Sequence, residues 1–168
     1  MGQEEKSFLN LAGEFAVASE LNRRGVHAAV TYGTSKRADV FAIGDSRDRV
    51  VRIEVKCSGK RKWLIGARGA TQPTQDSSRA RWVLVHVPPP PAGAPSTDEE
   101  RGKAAPRFFV LTPKQLYDVF RRAADAYEEA YLARHGKKFT GRGVPNVTLA
   151  AVEKYEGAWG SILSLLQE

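Results

Sequence analysis

Three features of the sequence predict an α/β domain: a segment with strict period-2 alternation, two long segments with helical periodicity, and a continuous apolar run of strand length. The alternating segment is VVRIEVKCSGK, residues 50–60, where Val51, Ile53 and Val55 fall on one side and Arg52, Glu54 and Lys56 on the other. Side chains point to opposite faces at each step of a strand, so Val51, Ile53 and Val55 define a buried face and Glu54 and Lys56 point the same way. Taken alone, such a strand suits a sheet with one solvated face.

The remaining elements follow in chain order. Residues 7–24, SFLNLAGEFAVASELNRR, suit an amphipathic helix ended by Gly25, with Phe8, Leu11, Ala12, Phe15, Ala18 and Leu21 as its apolar stripe. Glu14 falls in the row of Leu11, Ala18 and Leu21, where a carboxylate either sits at the margin and reaches solvent or has a specific role. Short β-prone stretches at 27–32 and 38–43 precede the alternating strand, so the three read as a meander, with Asp39 opening the second. Residues 59–80 are polar apart from Trp63, Leu64 and Ile65, and RWVLVHV at 81–87 reads as a central strand. The Pro-rich stretch at 88–106 reads as a surface insertion within one domain spanning 1–168, and RFFVLT at 107–112 resumes the sheet. Thr112, Pro113 and Gln115 form a capping box with proline at the first helical position, so a helix should run to about Arg134 and close at Gly136. A last helix, capped by Asn146 or Thr148, carries Leu149, Val152, Tyr155, Trp159, Ile162, Leu163 and Leu166 at helical spacing.

Composition narrows the function classes. An apolar share of 42% is ordinary globular content, and no run approaches the roughly 20 apolar residues of a membrane helix, so no membrane association is expected. The N-terminal MGQEEKSFLN has no basic region leading into an apolar stretch, and the single cysteine, Cys57, has no partner for an internal disulfide. The expectation is a reducing, cytoplasmic setting. His27, His86 and His135 are scattered, without zinc-site spacing. The formal net charge is +7, and the excess crowds around Lys36, Arg37, Arg52, Lys56, Lys60, Arg61, Lys62 and Arg68, the footprint of a phosphate-binding surface.

Glu14 on the first helix, Asp39 at a strand start, and Glu54 with Lys56 on the next strand form a set that no single structural role explains. In order and placement, the GE of helix one, the ADV at 38–40 and the IEVK at 53–56 resemble the PD-(D/E)XK nuclease superfamily, the restriction-endonuclease-like fold that includes Holliday junction resolvases. The likeness runs by motif from about residue 8 to 87, and Ala38 stands where the superfamily's name has proline. It implies an αβββαβ core with C-terminal helices appended and a Mg²⁺- or Mn²⁺-dependent DNA endonuclease. By that similarity Asp39 and Glu54 would ligate the metal, the Val55 carbonyl would add a further ligand and Glu14 would support the site. Lys56 would orient the attacking water and offset charge on the phosphorus. The chemistry asks for these residue types in its own right, since Mg²⁺ prefers carboxylate, carbonyl and water oxygens, and phosphoryl transfer needs positioning and charge stabilisation more than a covalent nucleophile. The alternative on the same fold is a module that binds nucleic acid or docks a partner without cutting. For contact with DNA, the sequence offers Lys36, Arg37, Lys60, Arg61 and Lys62 to the backbone, with Gln72 and Gln75 as base readers. Trp63 suits either stacking on a base or packing beneath the basic loop. With no appended recognition segment, weak sequence preference is expected, and a homodimer would suit an enzyme that cuts both strands.

Overall fold

The computed structural model describes residues 3–31, 38–45, 49–88, 105–140 and 146–167. Helix α1 (Gln3–Arg23) leads into an antiparallel meander of β1 (His27–Val30), β2 (Val40–Ile43) and β3 (Val50–Ser58). The chain then passes through β4 (Lys62–Leu64), the short helix α2 (Ala67–Ala70) and a 3-10 turn at Gln75–Ser77 to β5 (Ala80–His86), which runs parallel to β3. Strand β6 (Arg107–Leu111) pairs antiparallel with β5, and α3 (Pro113–His135) follows. The C-terminal part contains β7 (Asn146–Thr148), α4 (Leu149–Val152), a 3-10 turn at Glu153–Tyr155 and α5 (Gly160–Gln167). The class is α/β: a five-stranded mixed sheet in the order β1-β2-β3-β5-β6, with β4 and β7 forming a separate two-stranded pair.

The sheet is covered on both sides. Val51, Ile53 and Val55 of β3, Val83 and Val85 of β5 and Val110 of β6 pack with Val17 and Leu21 of α1 and Ile162 and Leu166 of α5. On the other face, Trp82 and Leu84 of β5 and Phe109 and Leu111 of β6 meet Leu116 and Val119 of α3, Trp63 of β4 and Val147 of β7. Glu54 is in register with Trp82 and Lys56 with Leu84, so the polar side of β3 belongs to this second face. The expected alternation is present, with Arg52, Glu54 and Lys56 half-buried between fully buried valines and isoleucine.

Helix α3 begins as expected: the Gln115 N–H donates to Thr112 Oγ1 at 3.2 Å, and the Thr112 N–H donates to Gln115 Oε1 at 2.8 Å. Helix α1 departs from expectation. Phe8 and Phe15 are 64% and 47% exposed, and the face turned to the sheet is Gly13, Glu14, Val17, Ala18 and Leu21. Gly13 explains the choice, because a Cβ at that position would lie 2.7 Å from the Cys57 Cβ. Only the side of the helix that lacks a side chain there can approach β3 so closely.

The last expected helix is also divided. Leu149 and Val152 join the second core, whereas Trp159, Ile162 and Leu166 join the first. The break between them lies beside β6, where Phe109 bridges Glu156 and the Gly157 N–H donates to the Phe108 carbonyl at 2.9 Å. A continuous helix cannot reach both faces of one sheet, and Gly157 at φ 63° supplies the turn. Arg107 reinforces it with two 2.7 Å bonds to the Glu156 carboxylate. The stretch at 59–80 holds β4, which the sequence did not suggest, and of the Pro-rich stretch residues 89–104 lie outside the described residues. Substituting Gly157→Val forces a β-branched residue into the left-handed region and should lower unfolding stability by roughly 1–2 kcal/mol, measured by urea denaturation; an unchanged midpoint would refute this account of the turn.

Candidate functional site

The site begins where two neighbouring strands part. Strand β2 pairs with β3 only as far as Val40 opposite Ile53, while β3 continues to Ser58 alongside β5. Asp39 stands at this fork. Its N–H donates to the Ile53 carbonyl at 2.9 Å, and its carbonyl accepts from the Thr31 N–H at 2.9 Å. Its side chain does what the missing strand would do: Oδ2 accepts the Val55 N–H at 2.8 Å. The carboxylate is therefore held against the backbone between Glu54 and Lys56, whose side chains leave the strand on the face opposite the Val55 side chain.

An open cleft of about 360 Å³ adjoins this point, between Glu54 and Trp82 on the sheet and residues 71–77 of the crossover. Arg52, on the same face of β3 as Glu54, braces the far wall. Its Nη2 donates to the Asp76 carbonyl at 2.6 Å, and its backbone N–H donates to the Arg79 carbonyl at 3.0 Å. The loop is thus tied to the strand that carries the acid.

Glu14 occupies a different position. It is 7% exposed on the sheet-facing side of α1, whose apolar neighbours pack on Val55, on the face opposite Glu54 and Lys56. Among the described residues, no group of three His, Cys, Asp or Glu side chains is arranged to hold a metal ion. What the fork does offer is two carboxylates and a backbone carbonyl on adjacent strands, hard oxygen donors of the kind that suit a cation retaining several waters.

Of the expected DNA contacts, Lys60, Arg61 and Lys62 are exposed, following the end of β3. Gln75 is exposed on the 3-10 turn, and Gln72 lines the cleft. Lys36 and Arg37 lie outside the described residues. Trp63 resolves to packing and not stacking: it is 2% exposed, its Nε1 donates to the Val85 carbonyl at 3.1 Å, and its ring meets Phe109 edge-on at 5.7 Å. A ring so enclosed offers no face to a base. Cys57 is half-buried under α1, and this partial burial pushes its thiol up to about 11, which keeps it protonated near neutrality. No helix among the described residues is long and apolar enough to cross a membrane. No family model, curated protein or solved structure matches the chain.

Two hydroxyl residues of the cleft carry no local signal in the sequence. Thr74 and Ser77 reach the cleft only because the crossover folds back over β3. His86, at the end of β5 beside Trp63, is 6% exposed, and neither ring nitrogen has a hydrogen-bond partner among the described residues. Burial, with Arg107 and Arg61 nearby, holds this imidazole below its ordinary value.

Two expectations follow. Asp39→Ala strands the Val55 N–H and should cost about 1–3 kcal/mol, whereas Asp39→Asn keeps an oxygen acceptor and should cost less; equal melting curves for the two variants would contradict this role of the carboxylate. For His86 the neutral form is favoured on folding, so the protein binds fewer protons folded than unfolded, and stability falls as pH drops below about 6.5. His86→Phe should flatten that acid-side loss in chemical denaturation across pH 5–8 while matching the parent at pH 8, and an unaltered pH profile would assign the loss elsewhere.

Proposed function

We propose that this chain is a Mg²⁺- or Mn²⁺-dependent DNA endonuclease of the PD-(D/E)XK kind, on a restriction-endonuclease-like core. The observation that carries this reading is the bond from the Val55 N–H to the Asp39 carboxylate, which brings an acid from one strand beside the Glu54–Lys56 pair of the next. The element order supports it too. A helix, an antiparallel three-stranded meander and a following strand parallel to its third member run in the order such a core would have, with a short helix in the crossover.

In this reading Asp39 and Glu54, with the Val55 carbonyl, would hold the ion, which when bound supplies charge neutralisation and Lewis acidity toward the phosphate. Asp39 enters the site already oriented, since its second oxygen is committed to the Val55 N–H. Lys56 lies two residues beyond Glu54, about 7 Å along the strand, and its ammonium offsets charge developing on the phosphoryl oxygens and aligns the attacking water. The exposed Lys60, Arg61 and Lys62 hold the neighbouring backbone through sequence-independent contacts, which is why sequence preference is weak. Glu14, buried on the sheet-facing side of α1, would support the metal site from the helix, as the resemblance implies. A homodimer would provide two such sites for cutting both strands.

A module that binds DNA without cutting is the second reading, favoured by the absence of a three-ligand group among the described residues. The two separate in one experiment. Glu54→Gln and Lys56→Met should each reduce Mg²⁺-dependent nicking of supercoiled plasmid by at least about a hundredfold while DNA binding persists. Nicking at the parental rate by either folded variant would sink the nuclease reading; binding without nicking by the parent would establish the module.

A further inference from the structure

We propose that the cleft beside Glu54 is a subsite for one unpaired nucleotide of the DNA, so that the protein selects substrates carrying a bulge, flap or overhang. This inference rests on the nuclease reading for its choice of ligand. Glu54 forms part of the cleft wall, so a nucleic acid whose phosphate lies against Asp39, Glu54 and Lys56 has its adjoining nucleotide at the cleft mouth.

Size decides the form of that nucleotide. A cleft of about 360 Å³ is at the small end of ligand sites, enough for a single nucleoside and too small for a base pair within a duplex. A paired base must leave the stack to enter, and that step is least unfavourable where the base is already unpaired.

The lining decides the chemistry. Thr71, Gln72, Thr74 and Ser77 contribute hydroxyl and amide groups, and no Lys or Arg is among the described residues that line it. Neutral donors and acceptors suit the edge of a base, whereas a phosphate pocket would need cations or a row of backbone N–H groups. Pro73 and Pro113 supply the apolar surface against which a base ring can lie, and the buried Trp82 closes the floor beneath them. Phosphate recognition is left to Lys56 and the exposed Lys60, Arg61 and Lys62, outside the cleft. The wall is also built to persist. Arg52 fastens Asp76 to the strand of Glu54, and the Ser77 hydroxyl donates to the Thr74 carbonyl, so the loop is held open.

The test compares binding of two fluorescein-labelled hairpin duplexes in metal-free buffer, one continuous and one with a single unpaired thymidine, read by anisotropy. The parent should bind the bulged duplex roughly tenfold more tightly, the order expected of one base hydrogen-bonded and held against an apolar wall. Thr74→Phe fills the cleft mouth from an exposed position whose side chain makes no cap bond, and it should bring the ratio of affinities close to one. Gln72→Ala, a truncation at another exposed position, should lower the same ratio and serves if the larger ring disturbs folding. Lys62→Ala, outside the cleft, should weaken both duplexes alike and leave the ratio unaltered. A ratio of one in the parent, or a ratio that survives both cleft substitutions in folded protein, overturns the subsite. Because the ratio needs no cleavage, it is separable from the nuclease reading: plasmid nicking together with a ratio of one removes only the subsite, and a preserved ratio without nicking of any DNA removes only the nuclease.

Discussion

Strand β3 has to serve opposite requirements on its two faces, and the rest of the molecule is arranged around that constraint. Val51, Ile53 and Val55 are buried against α1 and α5, so the strand cannot slip by one residue without exposing all three and burying Arg52, Glu54 and Lys56 in their place. Register is therefore enforced by the hydrophobic effect, at roughly 1.5–3 kcal/mol for each large aliphatic side chain displaced. The same enforcement aims the acid and the lysine at the opposite face. Their direction is a by-product of packing and needs no contact of their own.

A polar row on a central strand is useful only where the sheet leaves it uncovered. The second core covers β5 and β6 with α3, Trp63 and Val147, while the face over Glu54 opens into the cleft. The loss of β2 as a neighbour beyond Ile53 would leave backbone groups of β3 unmet, and the Asp39 side chain meets one of them. The same bond thus closes the strand fork and fixes a carboxylate beside Glu54 and Lys56. Arg52 extends the logic to the crossover by tying the loop wall to the strand.

The C-terminal segment completes both cores from one stretch of chain. Leu149 and Val152 enter the second core, and after the turn at Gly157 Trp159, Ile162 and Leu166 enter the first. Buried Arg81 anchors the later part, its Nε donating to the Ser161 carbonyl at 3.0 Å and its Nη1 to the Ala80 carbonyl at 2.7 Å. The guanidinium replaces water contacts with backbone oxygens, which is how a cation is tolerated beside an apolar core.

By itself the sequence determined what depends on neighbours a few residues apart. The alternation of β3, the apolar run of β5 and the capping box of Thr112 and Gln115 were legible because period and capping chemistry are local. Asp39, Glu54 and Lys56 could be named, but not the bond that joins the first to the strand of the other two. Which stripe of α1 is buried was decided by the close approach of Gly13 to Cys57, a contact across 44 residues, so Phe8 and Phe15 face outward although their spacing is helical. The division of the last helix, the enclosure of Trp63 by β5 and β6, and the meeting of residues 71–77 with Glu54 were likewise tertiary decisions. In each, an apolar or polar side chain has several local conformations of similar energy, and the surface it finds on a distant element selects among them.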